Sequence, residues 1–258
     1  MNRAKLSSAI GLLLTPFLFC QTGQADVVLT SVGVPVVETF DAFGGTGFSS
    51  TPSADQLDSN TYRVTGLSDG DGVFGGIHDT GDFARGASPG GVGQGGIYAF
   101  DVGAGDIGVG IQPTATDFTP GSFTIRLLNS TGQSVDTVDF MAETYVFNNA
   151  DRSSIWTVEL SLDDTVYTPL GSLQSDVEAD ASPEWVLSPL SFSVTSPIAV
   201  ADGQQFFIRI TGNDLAGGGS RDEFAIAGFN VSVGSAVPEP GTVGLIALVS
   251  LGLITRRR

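Results

Sequence analysis

Cysteine is nearly absent from this 258-residue chain. Its single cysteine, Cys20, falls in an apolar stretch near the N-terminus that reads as a removable leader. The rest of the chain therefore has no disulfide, no thiol nucleophile and no thiolate metal site. A domain exported in this form depends on its core, or on bound ions, for stability. Lysine occurs only as Lys5 and histidine only as His78. A Ser-His-Asp triad would have to use His78, yet no Gly-x-Ser-x-Gly turn presents a nucleophile. One histidine without cysteine is also a poor zinc set. Positive charge is scarce. Of 28 acidic residues only Glu239 lies beyond residue 235, and of 11 basic ones Arg3, Lys5 and Arg256 to Arg258 lie outside residues 26–235. The segment between carries a net charge near −21, with six arginines as its only cations. Such a field repels nucleic acid and anionic lipid, so nucleic acid is excluded as a partner. It suits a solvated exported surface, with cation binding or spacing within a matrix as the functional alternative.

Long hydrophobic runs are confined to the two ends. At the N-terminus, Arg3 and Lys5 precede an apolar run from Leu6 to Phe19, and Gly23-Gln24-Ala25 supplies small residues. This is the pattern of a secretory signal peptide over residues 1–25, cut by signal peptidase between Ala25 and Asp26. An uncleaved membrane helix is disfavoured because the run falls short of the roughly 20 residues of a span. Lipidation at Cys20 is weaker still, with bulky Phe19 before it. At the C-terminus, Val237-Pro238-Glu239-Pro240 is followed by an apolar run from Thr242 to Thr255 and by Arg256, Arg257 and Arg258. The prolines lock φ and remove donors, so no helix continues upstream. As a helix the run would reach about 21 Å. That nearly spans a hydrocarbon core of about 30 Å if the arginines snorkel. The arginines place the tail inside and the body outside.

Pro238-Glu239-Pro240, a short apolar helix and a terminal arginine cluster together resemble the PEP-CTERM sorting signal. The resemblance implies a Gram-negative producer and recognition by the membrane enzyme exosortase. It also implies transient anchoring in the inner membrane by the C-terminal helix, tail processing, and release to the cell surface or extracellular polymer matrix. It covers residues 236–258.

Residues 26–235 read as one domain. Helix signals are nearly absent there and alternating strand patterns recur. Val27 to Val37 is β-branched. Phe123, Ile125 and Leu127 alternate with Thr124 and Arg126. Trp156, Val158, Leu160 and Leu162 alternate with Ile155, Thr157, Glu159 and Ser161. Val135 to Phe147 is long enough for a bulged strand or two in succession. About ten strands bounded by Gly, Pro, Asn and Asp turns predict an all-β, two-sheet antiparallel sandwich of jelly-roll type. To this are added the N-terminal signal helix and the short C-terminal membrane helix. No repeat of fixed period points to a solenoid. Ser68 to Gly96 is long, glycine-rich and without strand rhythm. Phe74, Ile77, Phe83 and Val92 suggest that it is pinned to the sandwich.

A second resemblance rests on Phe40 to Phe48, Gln56 to Ser59, Val64 to Gly70, Gly81 to Gly86, Gly95 to Phe100 and Ser220 to Ala225. These are similar to a recurring family of exported bacterial β-sandwich domains found on differently anchored surface proteins. The likeness covers nearly the whole body and implies a jelly-roll fold without implying an activity. Ala227 and Gly228 stand where such domains often carry an acidic pair, which puts any ion or ligand role of that pair in doubt here.

Candidate chemistry is sparse. Hard oxygen donors on glycine-rich loops suit calcium. Asp69 and Asp71, with Asp79 and Asp82 nearby in sequence, form the first candidate set; Asp214 and Asp222 form a weaker second. The spacing does not complete an EF-hand, and Asp-Gly pairs are also ordinary turn formers. Carboxylates are numerous enough for a glycosidase-type pair, but sequence does not show which two face each other. Trp156 reads as core. Trp185 reads as a sugar-stacking residue or as a partly buried strand entry. Arg85 and Arg221 read as loop-fixing partners of carboxylates. Ice binding calls for a regular threonine array, and none repeats along the chain. The expectation is a non-enzymatic exported module of the surface or matrix. A polysaccharide-binding or polysaccharide-cleaving sandwich is the alternative.

Overall fold

A computed structural model of the protein describes residues 26–234. The leader, Ala25 and the sorting-signal residues Pro238 to Pro240 and Arg256 to Arg258 lie outside that range. The strands, in chain order, are β1 (Val27–Leu29), β2 (Val36–Thr39), β3 (Phe43–Ser49), β4 (Asp55–Asp58), β5 (Tyr62–Thr65), β6 (Ala87–Ser88), β7 (Gly96–Gly103) and β8 (Asp106–Gln112). They continue with β9 (Gly121–Asn129), β10 (Val135–Phe147), β11 (Arg152–Ser161), β12 (Thr168–Gln174), β13 (Trp185–Leu187), β14 (Leu190–Val200), β15 (Gln205–Gly217) and β16 (Glu223–Gly234). Among the described residues the helical content is one 3-10 turn, Gly81–Phe83, and no helix is long and apolar enough to cross a membrane.

The strands form the expected sandwich. The first sheet runs β1-β9-β15-β11-β12, with β5 sharing the β1 side of β9. The second runs β13-β10-β16-β8-β7-β6, with β14 beside β10 and β2 beside β16. A short parallel pair, β3-β4, stands apart. The two-residue period decides which face is buried. On β9, Phe123, Ile125 and Leu127 point inward and have no exposure. On β11 the same holds for Trp156 and nearly so for Val158 and Leu160. From β16 come Phe224, Ile226, Phe229, Val231 and Val233, so one buried cluster fills the space between the sheets.

One expectation needs revision, and another is settled on the first of its two alternatives, the bulged strand. Val27 to Val37 is not one strand. Its first part pairs with β9 and its last part with β16, so the chain crosses between sheets at a turn containing Gly33, whose φ is +73°. Val135 to Phe147 is a single strand, and a bulge at Glu143/Thr144 absorbs the mismatch with β16.

The loop after β5 is pinned, but not by all four apolar residues. Phe83 enters the core and Val92 packs on a second small cluster with Tyr98 and Phe100. Ile77 is instead 66% exposed. Close backbone contact also fixes the loop. Gly45, at φ +75°, would place a Cβ 2.2 Å from the Gly86 carbonyl oxygen. Only glycine permits that approach.

Candidate binding face

The outward side chains of the first sheet form a polar layer in which Ser122, Thr124, Arg126, Phe207 and Ser161 are buried, while Arg63, Thr65, Thr157, Glu159, Arg209 and Thr211 are partly exposed. Strand register lines them up in rows perpendicular to the strands. One row is Thr65, Ser122, Thr211, Thr157 and Ser172, contributed by β5, β9, β15, β11 and β12. The next is Arg63, Thr124, Arg209 and Glu159. Beyond it lie Arg126, Phe207 and Ser161. On the other side of the hydroxyl row lie Asn213, Ile155 and Gln174.

Three of the six arginines of the described chain meet on this face, and each is neutralised by a carboxylate. Arg63 donates through both terminal nitrogens to Asp164 at 2.7 Å. Arg126 Nε donates to Asp26 at 2.5 Å, and Gln205 donates to the other Asp26 oxygen. Arg209 Nε donates to Glu159 at 2.7 Å, and the Thr211 hydroxyl donates to the same oxygen. Burial opposes ionisation of Asp164, but hydrogen bonds from Arg63 and Tyr167 hold its carboxyl below the usual range.

Aromatic rings complete the face. Tyr167 lies 3.6 Å from the Arg209 guanidinium and donates its hydroxyl to Asp164. Burial, then its hydrogen bond to Asp164, pushes the Tyr167 phenol up, so it stays a donor. Phe74, from the long loop, packs against Phe207 and lies over the guanidiniums of Arg63 and Arg126, at 4.5 and 4.9 Å. Arg63 Nε, Thr124 Oγ1 and Arg126 Nη2 are shielded and make no hydrogen bond. The ring quadrupole of Phe74 offsets part of that cost for the two cations.

The candidate calcium residues do not converge. Among the described residues no group of three or more His, Cys, Asp or Glu is placed to hold a metal. Asp69 and Asp82 do meet, as a latch: Asp82 N–H donates to Asp69, while Asp69 N–H and the Ser68 hydroxyl donate to Asp82. The other Asp82 oxygen pairs with Arg85. Asp71 instead accepts the Gly66 N–H, and Asp79 is exposed. In the second set, Asp214 is held by Arg152 at 2.7 and 2.8 Å, and buried Asp222 accepts the Ala150 N–H.

His78 stacks on Phe83 at 4.8 Å, and its Nε2 accepts the Val73 N–H. Trp185 is half-buried at a strand entry between Phe100 and Phe147, with its indole N–H donating to the Pro89 carbonyl. Arg85 does pair with a carboxylate. Arg221 does not: it donates to the Phe118 carbonyl and to the hydroxyls of Thr119 and Ser154. A hollow of about 360 Å³ at the sandwich edge is lined mainly by Leu160, Leu162, Val166, Leu170 and Val194. Its one carboxylate, Asp163, is held below the usual range by backbone N–H groups of Val166 and Thr165.

Glu223 is an unexpected feature. It is fully buried, accepts the Val92 N–H through one oxygen and has no partner for the other. Burial pushes its carboxyl up to about 7 from 4.5. The folded state thus holds this proton more tightly than the unfolded chain. The resulting stability is full below about pH 4.5 and is lost as pH rises through about 7. Thermal unfolding of Glu223→Gln should therefore lack a decline that the parent shows between pH 5 and 8. That decline is worth about 2–3 kcal/mol. Parallel pH profiles for the two proteins would rule it out.

Residues 236–258 match the family model described as the PEP-CTERM protein-sorting motif. No curated protein matches the chain. Among solved structures, the CBM22-1 xylan-binding domain of Paenibacillus barcinonensis Xyn10C is similar with a TM-score of 0.39 and 10% identity, over 81% of this chain and 99% of that one. CBM27-1 of Caldicellulosiruptor saccharolyticus, solved with mannohexaose, gives 0.32 and 10%, over 56% and 85%. The CBM22-1-GH10 modules of Clostridium thermocellum Xyn10B, solved with xylohexaose, give 0.34 and 11%, over 57% of this chain and 26% of that one. The chain therefore spans about a quarter of that multi-module protein. Likeness this distant concerns the all-β architecture and says nothing of what this chain binds.

Proposed function

We propose that this chain, which carries the PEP-CTERM sorting motif of an exported protein processed by exosortase, is a non-enzymatic module of the cell surface or matrix that binds extracellular polysaccharide. The carrying observation is the outer face of the first sheet. There hydroxyls, amide side chains and neutralised guanidinium–carboxylate pairs lie in register beside the rings of Tyr167 and Phe74. Such a face offers hydrogen bonds and flat apolar area to a sugar polymer. Asp164, Asp26 and Glu159 are each committed to an arginine, which supports binding without hydrolysis, because an acid–base pair needs a carboxyl free to exchange a proton. The transient membrane anchor and the release step belong to the same reading, as does the absence of a catalytic role.

The test is retention of the exported protein on a panel of polysaccharides, with an assay for new reducing ends. Retention without product is expected, and Tyr167→Ala should weaken it on the order of tenfold. Release of reducing ends would make the protein an enzyme. No retention on any polymer would leave a structural spacer.

A further inference from the structure

The row Thr65, Ser122, Thr211, Thr157 and Ser172 gives one hydroxyl per strand across five adjacent strands. At about 4.8 Å between strands it extends about 19 Å. Its members differ in how they are held. Thr65 and Ser122 share a hydrogen bond at 2.8 Å, and Thr211 donates to Glu159 at 2.6 Å. Thr157 and Ser172 sit at the open end of the row, half-buried and exposed. Along one side the short hydroxyls meet the longer side chains of Arg63, Arg209 and Glu159, with the Tyr167 ring on Arg209. These longer side chains border the row on either side of the short, buried Thr124, so a ligand seated beside them lies across the strands.

Charge decides the class of that ligand. The three guanidiniums of the face are matched by three carboxylates, and the segment as a whole is near −21. A polyanion would approach against that field. To reach a guanidinium it would also have to displace Asp164 or Glu159 from a charge-assisted bond. A neutral polymer meets neither obstacle, since its hydroxyls both donate to and accept from serine and threonine.

Resting on the polysaccharide-binding reading above, we infer that the face takes a neutral, linear glycan laid across the strands along this row, engaging several successive sugars rather than one terminus.

The experiment is affinity electrophoresis of the exported protein in gels containing neutral glucan, xylan or mannan, and in gels containing alginate or polygalacturonate, with and without added salt. A series of neutral oligosaccharides from disaccharide to hexasaccharide then competes for binding. Retardation by a neutral polymer, unchanged by salt, is expected. Competition should strengthen with oligosaccharide length. Thr157→Val and Thr211→Val should each weaken retardation on the order of tenfold. Retardation by polyanions alone, abolished by salt, overturns the neutral class but keeps polysaccharide binding. Equal competition by disaccharide and hexasaccharide overturns the placement across the strands. Full retardation of both valine variants removes the row from the site. No retardation by any polymer overturns the binding reading itself.

Discussion

Trp156→Ala is expected to destabilise the sandwich by about 3–5 kcal/mol, the range for truncating a large buried aromatic. Trp156 has no solvent exposure, and its ring stacks on Phe224 with centroids 4.1 Å apart and an interplanar angle of 15°. Trp156 comes from the first sheet and Phe224 from the second, so the stack is a direct bridge across the sandwich. Opposite the ring stands Gly212, where a Cβ would approach it to 2.3 Å. Gly212→Ala should therefore also destabilise, by overpacking rather than by a cavity. Urea unfolding of the parent and both variants checks this, with Trp156→Phe recovering part of the loss. A loss under about 1 kcal/mol for Trp156→Ala would mean that the site collapses around the alanine.

Arg221→Ala should cost about 3–4 kcal/mol, because it strands several buried acceptors at once. Arg221 is 1% exposed. Its guanidinium ties the Phe118 carbonyl and Thr119 hydroxyl, on the loop before β9, to Ser154 on β11. Its own carbonyl accepts from Gln112 at the end of β8. Burial pushes its pKa down to about 10, so it remains a cation at neutral pH, with no carboxylate bonded to it among the described residues. Removing that desolvated charge returns part of the loss, which is why the expected cost is below the sum of its bonds. Arg221→Lys separates the two contributions. It keeps the charge but not the fork of donors, and it should recover little stability. Recovery to the parent's unfolding midpoint would show that charge, and not geometry, is what the site needs.

Much of the architecture is legible in the chain because its cause is local. The two-residue period places Phe123, Ile125 and Leu127 on one face of a strand wherever that strand sits. The same rule puts Trp156, Val158 and Leu160 in the core. Glycine and proline mark turns for equally local reasons. Trp185 was legible only as one of two alternatives, since burial at a strand entry depends on Phe100 and Phe147 from other strands. The candidate calcium ligands show the opposite limit. Alternating aspartates among glycines satisfy a compositional rule, but the backbone N–H groups of Asp69 and Gly66 and the Arg85 side chain claim their oxygens first. Closing a tight loop satisfies the same acceptors that a cation would use.

The sorting motif is linear, read as an extended peptide and a short apolar run, so sequence by itself determined it. Sequence likewise determined the all-β class and the inward face of most strands, since alternation needs no partner. Only the tertiary structure decided which strands are neighbours. That choice put residues 65, 122, 211, 157 and 172 in one row and brought Arg63 to Asp164 and Arg126 to Asp26, each pair about 100 positions apart. No threonine array repeats along the chain; across it, register lines up a mixed row of three threonines and two serines. The reason is geometric: within a strand, side chains on one face recur every second residue, but across a sheet their order follows register, which no local pattern encodes.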